Sequence, residues 1–201
     1  MIKQPEAILF DMDGVLVDSL DSWWLSLNSA MKMYTDNEIT REEFIKTYWG
    51  HDLRDNLRKA GLDQRIVQFC NMIYSDYLYA VRLYPDTKPT LKKLQGYRKG
   101  VITNTPRDCA LKILNKFDID YYFDVVLTSD EVTKGKPDPE IIYKACSNLN
   151  IEPTNVLVVG DTINDVKAGK AAGCTVVGIN IDADITIKNL SELPDILQKI
   201  F

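Results

Sequence analysis

The chain has 201 residues, 45% of them apolar, a net charge of −5 at neutral pH and a single histidine, His51. That is enough apolar material for one large domain or a core with an insert. The acidic balance argues against nonspecific nucleic-acid binding, and the lone histidine against a Ser-His-Asp triad or a multi-histidine metal site.

No apolar stretch approaches the roughly 18 residues of a membrane span. Met1–Pro5 runs straight into the first apolar segment, which predicts a cytoplasmic protein without a leader. Cysteines at 70, 109, 146 and 174 form no Cys-x-x-Cys pair and read as small buried hydrophobes in a reducing compartment.

Ala7-Ile8-Leu9-Phe10 predicts a buried strand, stopped at the turn Asp11-Met12-Asp13-Gly14. If the chain stays extended there, Asp11 and Asp13 point the same way. If it coils, one carboxylate and the next backbone groups converge on a single point, an arrangement suited to a divalent cation and a phosphoryl group. The competing reading is an Asx-type turn that only ends the strand.

From Leu20 to about Leu83 the texture is helical. Trp23, Trp24, Leu27, Ala30 and Met31 recur at helical spacing, then Phe44, Ile45 and Tyr48, then Ile66, Phe69, Cys70, Ile73 and Tyr77. Thr40, three residues before Glu43, starts a helix; Gly61 closes one; no strand-like run occurs. Ser19 is an expected N-cap, and the two tryptophans read as core or domain-interface residues. Trp49-Gly50-His51-Asp52-Leu53-Arg54 interrupts the helices with a polar loop, and Tyr84-Pro85-Asp86 punctuates the end of the segment.

Beyond Pro89 strands are predicted near 99–103, 124–128, 155–160 and 175–179, and helices near 87–95, 107–117, 138–149, 164–172 and 189–200. This alternation specifies a parallel sheet with helices on both faces, with 20–83 inserted after the first strand. Such sheets bind ligands beyond the carboxyl ends of their strands. Thr103-Asn104-Thr105, Lys134-Gly135-Lys136-Pro137 and Gly160-Asp161-Thr162-Ile163-Asn164-Asp165 could therefore share one site with Asp11 and Asp13. Asp165 falls in the first turn of a helix, where its charge is favourable by about 0.3–1 kcal/mol without any function. Asn164 is an expected N-cap, and Gly169 and Gly173 read as packing and C-cap glycines.

In order and character these four segments resemble the haloacid dehalogenase-like phosphohydrolases, in the group of capped phosphoglycolate phosphatases and β-phosphoglucomutase-like proteins. Ile8–Ser19 is similar to the first signature of that superfamily. The resemblance implies an α/β fold, a Rossmann-like parallel sheet carrying a small all-helical cap, with a core of residues 1–17 and 84–201 and a cap of 18–83. It implies a Mg²⁺-dependent phosphatase that hydrolyses a small phosphomonoester (phosphoglycolate, a sugar phosphate or a nucleoside monophosphate) through an aspartyl-phosphate.

On the matching positions, Asp11 is the nucleophile and Asp13 the general acid and base. Thr103, the Asn104 N–H and Lys136 bind the phosphoryl group, with Lys136 favoured over Lys134 because it directly precedes proline. Asp11, the Asp13 backbone carbonyl and Asp161 hold Mg²⁺, while Asp165 binds a metal-bound water or orients Lys136. The cap loop offers His51 and Arg54 to the distal end of a small phosphorylated metabolite. Dehalogenases lack the second aspartate, which disfavours that activity. A phosphosugar mutase carries a histidine near the position of Trp23, absent here; a catalytically idle interaction module would have no use for the whole residue set.

Overall fold

All four residues of strand β1 (Ala7–Phe10) are fully buried. In this computed structural model, which describes residues 4–200, β1 is followed by a two-residue strand β2 (Val17–Asp18). Helices α1 (Leu20–Thr35), α2 (Arg41–Thr47), α3 (Leu53–Lys59) and α4 (Arg65–Ile73) come next, then a 3₁₀ helix over Tyr74–Ala80 and strand β3 (Arg82–Leu83). Helix and strand then alternate: α5 (Thr87–Lys93), β4 (Arg98–Thr103), α6 (Arg107–Lys116), β5 (Val125–Thr128), α7 (Glu140–Leu149), β6 (Val156–Gly160), α8 (Ile163–Ala172) and β7 (Thr175–Ile179). The chain closes with β8 (Ile185–Ile187) and α9 (Leu193–Ile200).

The main sheet has six strands, all parallel, in the order β5-β4-β1-β6-β7-β8. Phe10 pairs with Val101 on one side and Val159 on the other, so three central strands stop at nearly one level and release Asp11, Thr103 and Asp161 at the same sheet edge. Alternation along β1 sends Ile8 and Phe10 to one face, packed with Leu91 of α5, Ile113 of α6 and Leu197 of α9. Ala7 and Leu9 go to the other, against Ile141 and Ala145 of α7 and Ala168 of α8. The predicted α/β architecture, a parallel sheet with helices on both faces, is therefore the one observed.

Between β2 and β3 the insert packs on itself: Leu27 of α1, Phe44 of α2, Leu57 of α3 and Ile66 of α4 are buried in a cluster continuous with one face of the core. β2 and β3 pair antiparallel, tying the outgoing and returning strands of the insert together. That pairing corrects the expectation of a strand-free segment. Two residues per strand are too short to show a periodicity in the sequence. β8 is likewise an addition to the predicted strands, being three residues flanked by Asp-Ala-Asp and Lys. The expected helix through Tyr77 stops at Ile73 and tightens into the 3₁₀ helix, and Ile45 lies exposed on α2 rather than in the core.

Among the described residues no helix is long and apolar enough to cross a membrane. The four cysteines are buried and free, and burial raises the thiols of Cys109 and Cys174 to about 12.

Gly169 of α8 lies against the sheet, where a Cβ would sit 2.5 Å from Val176 Cγ2 and 3.5 Å from Val158 Cβ. Both neighbours are β-branched and stiff. Gly169→Val should therefore destabilise by about 1–3 kcal/mol, read as a lower urea midpoint at unchanged m-value. An unchanged midpoint would show that α8 can move off the sheet at no cost.

Candidate active site

β1 hands over to the site in fixed register, because the Asp11 N–H still donates to Val159 O at 2.8 Å. The chain then coils. The N–H groups of Leu16 and Val17 return to Met12 O at 2.9 and 3.1 Å, and that of Gly14 reaches Val17 O at 2.8 Å. Of the two arrangements open to the Asp11–Gly14 segment, the coiled one is found. Gly14 sits at φ +86°, and a Cβ there would overlap the Asp161 carboxylate. Both the left-handed backbone and the close approach require glycine.

Lys136, 3% exposed, delivers its ammonium to the centre of this group. It donates to Asp165 Oδ1 at 2.6 Å and Ile102 O at 3.0 Å, and pairs with Asp11 Oδ1 at 2.9 Å. All three of its N–H bonds are thereby used. Burial pulls the ammonium down, yet Asp11 and Asp165 outweigh that and hold its pKa above the ordinary lysine value. Lys134, the alternative, is exposed and lies 4.0 Å from Asp138.

Asp165 divides its two oxygens. Oδ1 takes Lys136, while Oδ2 accepts from the Thr162 N–H at 3.0 Å and hydroxyl at 2.6 Å, closing a capping box on α8. Asp165 is therefore both a favourable charge at the helix N-terminus and the partner that orients Lys136. Asn164 is not the N-cap; Thr162 is. The Asn164 amide instead donates to Gly50 O at 2.9 Å.

Three hydroxyls converge on Asp13: Ser19 on Oδ1, Thr105 at 2.8 Å and Thr103 at 3.1 Å on Oδ2. Ser19 occupies the N-cap position of α1 but makes no side-chain cap bond. Its hydroxyl is spent on Asp13, against expectation. Thr105 joins the predicted residues, and alternation along the end of β4 is the signal that puts it on the same side as Thr103. Asn104 faces the other way, where its side chain holds Lys136 N and O at 2.8 and 3.0 Å and Gly50 O at 3.2 Å.

Asp11 and Asp165 thus flank one ammonium, with the charges of Asp161 and Asp13 felt at Asp11. Burial and the charge of Asp165 push the Asp11 carboxyl well above the carboxylate range; Lys136 opposes them, and Asp161 and Asp13 add to the rise. Burial, then Asp165, raises Asp161 to about 7, again against Lys136. Asp161 Oδ1 is buried with no hydrogen-bond partner among the described residues. Carboxylate oxygens of Asp11, Asp161 and Asp165 lie within 4.8 Å of one another. A hard, all-oxygen donor set with excess negative charge and an orphaned oxygen fits Mg²⁺. Since both oxygens of Asp165 are engaged, Asp11 and Asp161 are the side chains with capacity left for it.

The opposite wall of the cavity comes from the insert, including Trp23, Leu27, Phe44, Val67 and the Trp49–Arg54 loop. Trp23 stacks on Tyr74 with centroids 4.1 Å apart, and Trp24 donates to Ile39 O at 2.9 Å. The structure brings His51 and Arg54 to the cavity, each held in part by protein groups. Arg54 makes a two-point pair with Asp52, at 2.6 Å from Nη2, and donates to Ser129 O across the cavity mouth. His51 Nδ1 lies 3.1 Å from the Asn164 amide. Asp52, 5% exposed, caps α3 through the Arg54 N–H at 2.9 Å, a role absent from the sequence analysis.

Residues 8–179 match the family model of the haloacid dehalogenase-like hydrolases. The chain is 34% identical over 213 residues to a phosphoglycolate phosphatase of Haemophilus influenzae, covering 97% of this chain and 94% of the relative. It is 31% identical over 182 residues to pyrophosphatase PpaX of Bacillus velezensis, covering 88% and 84%. Among solved structures, a haloacid dehalogenase superfamily hydrolase of Geobacter sulfurreducens superposes with a TM-score of 0.81 at 26% identity, over 96% of this chain and 99% of that one. CbbY of Rhodobacter sphaeroides in complex with phosphate shares the fold at a TM-score of 0.84 and 22% identity, over 94% and 96%.

Gly14→Ala should both strain the turn, by about 1–2 kcal/mol for a left-handed alanine, and displace Asp161. A melting temperature lowered by roughly 2–8 °C is expected. A variant with parental melting would contradict the close approach.

Proposed function

The chain belongs to the haloacid dehalogenase-like hydrolases, and from that footing we propose that it is a Mg²⁺-dependent phosphatase acting on a small phosphomonoester through an aspartyl-phosphate at Asp11. The observation that carries this reading is the pairing of Lys136 with Asp11 Oδ1. It leaves Oδ2 as the Asp11 oxygen without a protein hydrogen bond among the described residues, directed by a partner that neutralises its neighbour. The reading takes residues 1–17 and 84–201 as the catalytic core and 18–83 as its cap, working in the cytoplasm.

In the first half-reaction Asp11 Oδ2 attacks phosphorus, the ester P–O bond breaks, and Asp13 in its acid form gives a proton to the departing oxygen. In the second, the Asp13 carboxylate removes a proton from the water that attacks the aspartyl-phosphate, restoring Asp11 and releasing phosphate. Hydroxyls suit this exchange because each can donate to the carboxylate and accept from the acid. Ser19, Thr103 and Thr105 can therefore hold Asp13 in both states. The Asn104 N–H serves the phosphoryl oxygens, joined by the Thr103 hydroxyl while Asp13 is in its acid form and does not take its proton, and Lys136 cancels charge on Asp11. Mg²⁺, held by Asp11, Asp161 and the Asp13 carbonyl, supplies the remaining neutralisation of the phosphoryl oxygens when bound. Asp165 keeps Lys136 aimed, and the loop bearing His51 and Arg54 shapes the distal end of the cavity through its anchorage to the core.

Asp11→Asn should abolish turnover while leaving the circular-dichroism spectrum and melting unchanged or raised; residual parental turnover, or turnover in excess chelator, would refute the assignment. Asp13→Asn should lower kcat by about 10²–10⁴-fold and keep the Mg²⁺-induced thermal shift. If the shift disappears with activity, Asp13 acts as a metal ligand through its side chain.

A further inference from the structure

The cationic and ionisable basic side chains on the cavity wall are, among the described residues, Lys136, Arg54 and His51. Each already has partners within the protein. Lys136 has its donors committed to Asp11, Asp165 and Ile102 O. Arg54 is held by Asp52 and by Ser129 O. Asp52 is 5% exposed, so releasing Arg54 to a ligand would strand a buried carboxylate, an expensive exchange. Burial, Lys59 and Lys167 all depress the pKa of His51, which favours its neutral form.

The remainder of that wall is apolar. Trp23, Leu27, Phe44 and Val67 line it, with the Trp23 indole fixed by stacking on Tyr74. Asn71 lies among them, and its side-chain oxygen is buried with no hydrogen-bond partner among the described residues. An acceptor left unpaired in such surroundings is costly and asks for a donor.

Resting on the phosphatase reading, we propose that the preferred substrate has an uncharged leaving alcohol with an aromatic or apolar face and an N–H or O–H for Asn71, as in a nucleoside monophosphate. Phosphoglycolate, whose leaving group bears a carboxylate, and sugar bisphosphates, with a second phosphate, meet at the distal end only Arg54, whose charge the buried Asp52 already balances. This separates the chain from what its relatives' names say they act on. The ring would lie along the Trp23 side of the cavity while the phosphoryl group faces Asp11.

The test is kcat/KM of the full chain with Mg²⁺ on uridine monophosphate, a hexose monophosphate, phosphoglycolate and a hexose bisphosphate, with p-nitrophenyl phosphate as reference. Uridine monophosphate should exceed each of the others by about tenfold or more, the scale on which an apolar pocket discriminates. In Asn71→Leu the ratio of uridine monophosphate to p-nitrophenyl phosphate should fall roughly three- to tenfold, the worth of one hydrogen bond. A preference for phosphoglycolate, the bisphosphate or the hexose monophosphate overturns the proposal, and an unchanged ratio in Asn71→Leu overturns the role of Asn71. If p-nitrophenyl phosphate itself is not hydrolysed, the phosphatase reading fails first, and the two failures are told apart.

Discussion

An ammonium buried between two carboxylates is the constraint on which the site depends. Lys136 reaches Asp11 at the end of β1, Asp165 in the first turn of α8 and Ile102 O in β4. It therefore ties its own loop to three elements separated by long stretches of sequence. Removing the lysine would leave both carboxylates buried without their cation, a loss that typically costs about 3–5 kcal/mol. The same ion pair fixes which Asp11 oxygen is spoken for, so the interaction that holds the strand ends together also presents the reactive atom. Register does the rest. Because Phe10, Val101 and Val159 are level across the sheet, no long loop is needed to bring Asp11, Thr103 and Asp161 together.

The insert is held over this centre mostly through main-chain oxygens. Gly50 O receives the amides of Asn104 and Asn164, and Ser129 O receives Arg54. Gly50 itself has φ +75°, with a Cβ there falling 2.7 Å from Thr162 Cγ2. The loop thus approaches the core closely at a residue without a side chain. Such an attachment leaves the cavity wall to side chains that need no polar partners, which is why aromatic and aliphatic groups can face the phosphoryl site.

What is legible in the sequence follows from the kind of signal each residue carries. Asp11, Thr103 and Asp161 end apolar runs of a parallel sheet, and topology alone sends such ends to one edge. Lys136 is preferred to Lys134 only through the family resemblance, since spacing treats them alike. Thr105 escapes because its hydroxyl serves a carboxylate far along the chain, and Ser19, only six residues from Asp13, because local pattern offers it a use as an N-cap. Asn164 is misleading in the same way, with Thr162 winning the cap and freeing the amide for Gly50. Asp52 and its pair with Arg54 are a local motif whose value lies in the distant Ser129 carbonyl. Strands β2, β3 and β8 are too short for periodicity to reveal.

The central claim is that Asp11 becomes phosphorylated during turnover. Quenching the working enzyme with borohydride reduces an acyl phosphate to an alcohol, so a phosphorylated Asp11 is converted to homoserine and read by mass in the peptide that contains it. Homoserine is expected at position 11, appearing only with substrate and Mg²⁺ present. Its appearance at Asp13 or Asp161, or its absence from an enzyme that is turning over at the moment of quench, would contradict the assignment of Asp11.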